Sequence, residues 1–401
     1  MSKIVHICLC DAYEELWEYH RNLASNYDVE HGHSVYVITS SLTTDKNANW
    51  VNTRSENYKT ANGIVVYRLK NRITWSQKVQ EKLRKVESMY ETLEEISPDI
   101  IVVHNLQTVS LYDVIKYKKN NLSVVLCGDS HSDYFNSARN FISKNILNKI
   151  VYKKIIKDNI KYFNRFYFHG KSVKAFFEDI YNIKLDNYVM STIGAKVESF
   201  DTVTKKRKKQ REKLGFSNDK LYLIHSGKLE PRKKTKEILE ALSEIDSDKV
   251  ELYIIGNIDE EQSAILMPMI ENDKRVHYLG WKTADELKNY LVAADLYLQP
   301  GTMSITLYSA LANATPAVVY PYDDYRFIFS GWEYLAENEK DIRQSIEAAL
   351  KNRNELEQRR MLAYNTAKSK LDISIFCNSV YETSDKNNVF AEKSGGNYDR
   401  K

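Results

Sequence analysis

Five short runs in the first half of the chain, KIVHICLC, HSVYVITS, GIVVYRL, DIIVVHN and SVVLCGDS, are rich in Val, Ile and Leu, and several are nearly continuous in them. A strand with one face in water alternates apolar and polar residues, whereas one that is apolar on both faces belongs in a parallel sheet with helices on each side. Parallel neighbours cannot be joined by a hairpin, so crossover helices must lie between them. The stretch AYEELWEYHRNLASNYDVEHG between the first two runs reads as such a crossover, closed near Gly32.

The alternation continues through FNRFYFHG and NYVMSTIGA, passes a highly charged stretch, TVTKKRKKQREKLGF, and restarts with LYLIHSGKL, VELYIIGN, RVHYLGW, LYLQPG and PAVVYP. Helical patterns such as TKEILEALSEI and DELKNYLVAAD separate these runs. At 401 residues the chain exceeds what one core usually supports. Two doubly wound α/β domains are therefore expected, over residues 1–200 and 201–370, with a helix over 371–383 returning to the first domain and a polar, disordered tail over 384–401. The charged stretch reads as a solvated connection or the exposed start of a helix. Ligands of such sheets bind beyond the carboxyl ends of the strands, so the chemistry is expected at strand-to-helix turns, in a cleft between the domains.

Composition narrows the function classes. With 43% hydrophobic and 28% charged residues the chain is of the ordinary globular type. No apolar run approaches the roughly 18 residues of a spanning helix, and Met1-Ser2-Lys3 leads straight into a strand, so a cytoplasmic location is expected. Cys8, Cys10, Cys127 and Cys377 lack the spacing of a zinc site and read as buried thiols. A net charge of +4 is too small for a nucleic-acid binder. It is unevenly spread, however: Arg139 to Lys174 holds ten Lys or Arg against one acid, Asp158.

The segment HSGKLEPRKKTKEILEAL, residues 225 to 242, places Gly227 after a strand and Lys228, Arg232, Lys233 and Lys234 before a helix. Glycine permits close approach of a ligand, and the cations could neutralise a diphosphate. In the first half, CGDSHSDYFNSARN puts Asp129, His131 and Asp133 at the end of a strand, with types suited to catalysis or to metal ligation. Asp11, Tyr13, Trp17 and His20 follow the first strand and could wall a sugar site. Further on, Ile142, Ile146, Ile150 and Ile155 recur near helical spacing between Lys144, Lys149, Lys153, Lys157 and Lys161, a pattern suited to an anionic membrane surface.

The order of these motifs resembles that of the family 4 glycosyltransferases, over roughly residues 1 to 380. Lys228 and Lys233 stand where that family has the Arg and Lys of its diphosphate site; LYIIGN around Gly256, VHYLGW around Trp281 and SALANATPAVV follow in the family's order, and TIGAKVESF carries Lys196 where Asp is usual. The resemblance implies a GT-B fold, two Rossmann-like domains facing across a cleft, and transfer of a sugar from a nucleotide sugar, with retention and without a metal or other cofactor. It assigns donor binding to Gly227, Lys228, Arg232, Lys233, Gly256 and Trp281 and to the loop PGTMSITLYS with Gly301, Thr302, Ser304, Thr306 and Ser309. The family's two glutamates in that loop fall on Gly301 and Ser309, so both carboxylates are absent.

Without them, the amides of Thr302 to Ser304 and the nearby hydroxyls are expected to meet phosphate at a helix start. The loop is similar to those of bacterial surface-polysaccharide glycosyltransferases. His131 and Asp129 are the expected catalytic pair, and Tyr13, Trp17, His20 and Asp133 the expected acceptor contacts. The acceptor implied is a lipid-linked saccharide at the inner face of the plasma membrane, as in capsule or O-antigen synthesis. The alternative is a non-catalytic subunit of the same fold.

Overall fold

The computed structural model describes residues 1–15, 18–44, 50–73 and 75–395. The chain divides into two units: Met1–Ile193 together with the segment from Ile373 onward, and Gly194–Asp372.

In the first unit, β1 (Lys3–Cys8), β2 (Ser34–Ser40), β6 (Val65–Leu69), β7 (Ile100–His104), β8 (Val125–Ser130), β9 (Arg165–Phe168) and β10 (Tyr188–Met190) run parallel. The edge strand β5 (Glu56–Lys59) pairs antiparallel with β6. The order is β10-β9-β8-β7-β1-β2-β6-β5, so the direction of winding reverses between β1 and β7. A separate antiparallel pair, β3 (Leu42–Thr44) with β4 (Trp50–Asn52), was not legible as strands. Every residue of β7 and β8 is buried, which accounts for the apolar runs that lead to their polar carboxyl ends, His104 and Asp129-Ser130. All four cysteines are buried and free.

Two boundaries differ from the sequence pattern. The first crossover helix begins only at His20 and runs to Glu30; of the residues before it, 11–15 and 18–19 lie in loop. The helix's first turn holds that loop, since Arg21 donates to the carbonyl of Ala12 and Asn22 Nδ2 to that of Glu14 at 3.0 Å. The last helix spans Ile373–Gly395, past the Ser384 where composition predicts disorder. Between Ser384 and Gly395 no proline or glycine interrupts it. Its Ile373, Phe376, Cys377 and Val380 join Ile4, Leu23, Ala24, Val102, Cys127 and Tyr167 in one apolar cluster, so the C-terminal segment covers a face of the first unit's sheet.

The second unit has β11 (Leu221–Lys228), β12 (Val250–Asn257), β13 (Val276–Tyr278), β14 (Leu296–Gln299), β15 (Ala317–Val319) and β16 (Tyr334–Leu335), all parallel, in the order β13-β12-β11-β14-β15-β16. Winding reverses here between β11 and β14.

The charged stretch before β11 is the helix Phe200–Leu214, started by Ser199, whose hydroxyl accepts from Thr202 N, and ended at Gly215 with φ +70°. Much of it is solvated, but two of its cations are structural. Arg207 and Arg211 reach the buried Asp295 at 2.6 and 3.2 Å, and Arg207 also donates to the carbonyls of Val292, Ala293 and Ala294, which end a neighbouring helix. Asp295 accepts from Tyr222 N at 2.9 Å as well. Removing one member of a buried ionic group leaves the others uncompensated, at about 3–5 kcal/mol. Asp295→Ala should therefore lower stability by about that amount in urea denaturation, whereas Lys208→Ala, exposed on the same helix, should change it by less than about 0.5 kcal/mol. Equal effects would remove Asp295 from its anchoring role.

Candidate active site

In the second unit, the loops after β11 and β14 flank the reversal of strand order, the place where open α/β sheets take ligands. Three glycines bring the loops together. At Gly256, with φ +149°, a Cβ would lie 1.7 Å from the carbonyl oxygen of Gly227. Gly227 has φ +132°, and a Cβ there would meet Lys233 Cε at 3.1 Å. At Gly301 a Cβ would fall 2.2 Å from Arg232 O and 2.8 Å from Lys233 Cα, and Thr302 N donates to Arg232 O at 3.1 Å. Gly301 therefore lets the PGT loop lie directly on the basic loop. Backbone occupies the room that any side chain there would need, which gives a steric reason for the missing carboxylate.

The basic loop makes one tight turn, Pro231–Lys233, and Lys234 follows with φ +58°, its Nζ donating to Glu337 O at 2.9 Å. Lys228 and Arg232 are exposed and share Glu230 at 3.2 and 2.8 Å. Arg232, then Lys228, holds that carboxyl below the usual range. Lys233 is half-buried and makes no ion pair among the described residues; burial, then Arg232, pushes its pKa down. A bound anion would remove that penalty.

The loop after β14 differs from the expected anion nest. The amide of Thr302 is taken by Arg232 O, and that of Ser304 donates to the hydroxyl of the buried Tyr325 at 2.8 Å. The helix starts only at Thr306 and ends at Ala312. What this loop and helix offer a ligand is hydroxyl: Thr302, Ser304, Thr306 and Ser309 are half-buried, and Ser304 Oγ accepts from Thr306 N at 3.3 Å. Trp281 is exposed beside Gly280 on the loop after the edge strand β13, two strands out from the reversal.

In the first unit, the strand ends assemble a larger group than the Asp129/His131 pair. Asp129, at 0% exposure, has His104 Nδ1 at 2.6 Å, His131 Nε2 at 3.3 Å, His169 Nε2 at 3.6 Å and His20 Nε2 at 3.8 Å. The chain continues inward: His104 Nε2 lies 3.0 Å from His6 Nδ1, and His6 Nε2 is 2.8 Å from Asp28, which accepts from the Tyr381 hydroxyl at 2.5 Å. Asn105, with φ +64°, donates its amide to Asp129 at 3.2 Å and accepts at Oδ1 from His131 N at 2.8 Å, so this left-handed residue sets the turn that aims both groups.

Burial alone raises the Asp129 carboxyl, but His104 and then His131 outweigh it and hold it well below the carboxylate range. Burial pushes His104 down to about 4 against the pull of Asp129, and burial followed by His169 pushes His20 down as well. The carboxylate is thus held in its charged form, while burial works against protonation of the His104 and His20 rings beside it. His131, whose side chain is 21% exposed, is the member that reaches solvent.

His20 lies in this group, where the sequence reading gives it an acceptor contact. Tyr13 is buried among Cys8, Val35, Val37 and Val66, a core side chain that no sugar can reach. Asp133 turns away to cap the helix Tyr134–Ser137, accepting from Phe135 N and Asn136 N at 2.8 Å. Trp17 lies outside the described residues. His6, His104 and His169 were missed, although each sits in or just after an apolar strand run, KIVHIC, IIVVH and FYFHG.

The basic segment forms a helix over Ile142–Tyr152, with hydrogen bonds spaced i to i+5, continuing as Lys153–Asn159. Ile155 and Ile156 are buried, but Phe141 (74%), Ile142 (62%), Ile146 (46%) and Ile150 (63%) are exposed. Lys149, Lys157 and Lys161 are exposed and Lys144 and Lys153 half-buried.

The two α/β units, each with a parallel sheet, define a GT-B fold, and known proteins agree. Residues 206–369 match the family model for glycosyl transferases group 1. The structure resembles sucrose-phosphate synthase from Thermosynechococcus elongatus, with 12% identity, a TM-score of 0.68 and 98% and 100% of the two chains covered. It also resembles HepE from Anabaena solved with UDP, with 13% identity, a TM-score of 0.67 and 96% and 100% covered. A third similar structure is WaaG, described as a glycosyltransferase involved in lipopolysaccharide biosynthesis, with 13% identity, a TM-score of 0.62 and 94% and 99% covered. Comparison with curated proteins finds no match. The match over residues 206–369, together with this fold, supports a nucleotide-sugar-dependent glycosyltransferase.

Two measurements follow from this geometry. Lys233→Ala should weaken binding of a nucleoside diphosphate by about tenfold or more in calorimetry while leaving the melting temperature of the free protein within a degree or so; unchanged affinity would remove Lys233 from the site. The second concerns His225, buried under the basic loop, whose Nδ1 donates to Leu298 O at 2.8 Å and whose Nε2 accepts from Thr235 Oγ1 at 3.0 Å. Burial lowers its pKa to about 4, below the 6.5 of the free side chain. Its contribution to stability is therefore complete above about pH 6.5 and lost as the pH falls toward 4. His225→Gln should flatten the stability profile across that window; a profile as steep as in the parent protein would exclude His225 as a cause.

Proposed function

We propose that this glycosyltransferase moves a sugar, with retention, from a nucleotide sugar to a lipid-linked saccharide at a membrane surface, in the synthesis of a capsule-like or O-antigen-like polymer. Lys233, supported by Lys228 and Arg232, binds the diphosphate and offsets the charge that develops on it as the sugar departs. Asp129 orients His131, the solvent-reaching ring, toward the reacting sugar or the acceptor hydroxyl. The site needs no added cofactor for this step, the basic loop supplying the positive charge.

The observation that carries the membrane part is the exposed row Phe141, Ile142, Ile146 and Ile150, edged by lysines. Large apolar side chains in a row cost free energy in water, and a lipid surface with anionic headgroups satisfies both the row and the cations beside it. No described helix is long and apolar enough to cross a membrane, so attachment would be peripheral. The description of WaaG, a structural relative, supports a polymer of the cell surface.

A thermal-shift panel of UDP-, GDP-, ADP- and CMP-sugars tests the donor part: one base should stabilise the protein saturably, and no response from folded protein would count against it. For the membrane part, the protein should sediment with vesicles containing anionic lipid and not with neutral ones. Changing Lys149, Lys153 and Lys157 to Glu should abolish sedimentation, since each cation near the surface contributes about 1 kcal/mol. Equal binding to both vesicle types would reject the reading.

A further inference from the structure

The group around Asp129 contains two rings that sugar transfer does not explain. His169 Nδ1 lies 2.8 Å from the carbonyl oxygen of Thr192, which can only accept, so Nδ1 carries the proton and the neutral ring presents a lone pair at Nε2. That Nε2 is buried, has no hydrogen-bond partner among the described residues, and faces Asp129 Oδ2 at 3.6 Å. His20 repeats the situation: both its ring nitrogens are buried without a hydrogen bond among the described residues, and Nε2 is 3.8 Å from the same oxygen. A lone pair and an ionised carboxylate facing each other in a dry interior repel unless positive charge lies between them. A proton is a poor source of it. It would create a buried imidazolium stacked on His131 at 4.3 Å between ring centroids and in contact with His20 at 4.2 Å.

We propose that this pocket binds a divalent first-row transition cation through the Asp129 carboxylate, His131 Nε2 and His169 Nε2. The three ligand atoms lie within 4.8 Å of one another. His131 Nε2 lies 3.3 Å from Asp129 Oδ1 and His169 Nε2 3.6 Å from Asp129 Oδ2, each near the roughly 3.4 Å between donors on a tetrahedral ion with bonds of about 2.0–2.1 Å. Two imidazoles and one carboxylate suit zinc, iron or cobalt better than magnesium or calcium, which prefer oxygen donors. The groups behind the ligands have the form metal sites use: Thr192 O fixes the tautomer of His169, and His104 and the Asn105 amide hold the carboxylate. His131 opens to solvent and gives the ion its way in, while His20 is a further nitrogen beside the site. The neighbouring trio His20, His104 and Asp129 suits an ion less well, because both nitrogens of His104 are already engaged.

This inference shares Asp129 and His131 with the catalytic reading above, but its test, ion uptake, depends on neither the donor nor the membrane. Untagged full-length protein, stripped with a chelator, should take up about one Co²⁺ or Zn²⁺ per chain through gel filtration, and the Co²⁺ form should show visible absorption of nitrogen-ligated cobalt. His169→Gln and His131→Ala should each weaken Co²⁺ binding by at least about tenfold, since losing a ligand costs no less than losing the groups behind it. His31→Ala, an exposed histidine elsewhere, should leave it unchanged. Uptake well below one ion per chain, or full uptake by both cluster variants, would overturn the proposal. His131 is partly exposed, so if His169→Gln fails to fold, His131→Ala decides alone.

Discussion

A carboxylate with no exposed surface stays ionised only where something with positive character faces it, and the first unit is arranged around one, Asp129. Its partners come from separate elements: His104 from the end of β7, His131 from the loop after β8, His169 from just beyond β9, and His20 from the start of the first crossover helix. Each of those elements carries its own apolar residues into the core, so packing the helices fixes the polar geometry. The C-terminal helix takes part in the same arrangement, since Phe376 packs on His20 with ring centroids 4.4 Å apart and Tyr381 bonds Asp28 behind His6. The site's inner wall is therefore complete only when both ends of the unit's chain are in place.

The second unit solves a different problem, the close approach of loops. Gly256, Gly227 and Gly301 each stand where a Cβ would crowd a neighbouring loop, two of them against backbone. The result is a basic turn clamped from the side of β14, with Lys233 half-buried and its charge disfavoured until an anion arrives. The chemistry expected of a carboxylate at 301 is replaced by backbone contact and by nearby hydroxyls. Donor recognition in this chain therefore relies on cations and neutral polar groups.

These two sites differ in what surrounds them, and so does the basic helix. Ile155 and Ile156 are packed into the core of the first unit, while the row from Ile142 to Ile150 shares the segment and remains in water. One stretch of chain thus contributes both to folding and to a surface suited to lipid.

The sequence by itself determined the two parallel α/β units, because the spacing of apolar residues along a strand or helix is a local property and a two-faced apolar strand has few places to go. It also located the basic turn after β11 and the pair Asp129 and His131, since strand ends and glycines can be read from neighbouring residues. Only the tertiary structure gathered His20, His104 and His169 around one carboxylate, with His6 behind His104, as these residues lie far apart in the chain. Tyr13 went the other way, its ring claimed by the core. Periodicity shows that Ile142, Ile146 and Ile150 share a stripe but not whether another element covers it, and the steric reason for Gly301 appears only where another loop's backbone meets it. Such facts depend on which surfaces touch, and contact between distant segments is decided by packing the whole unit.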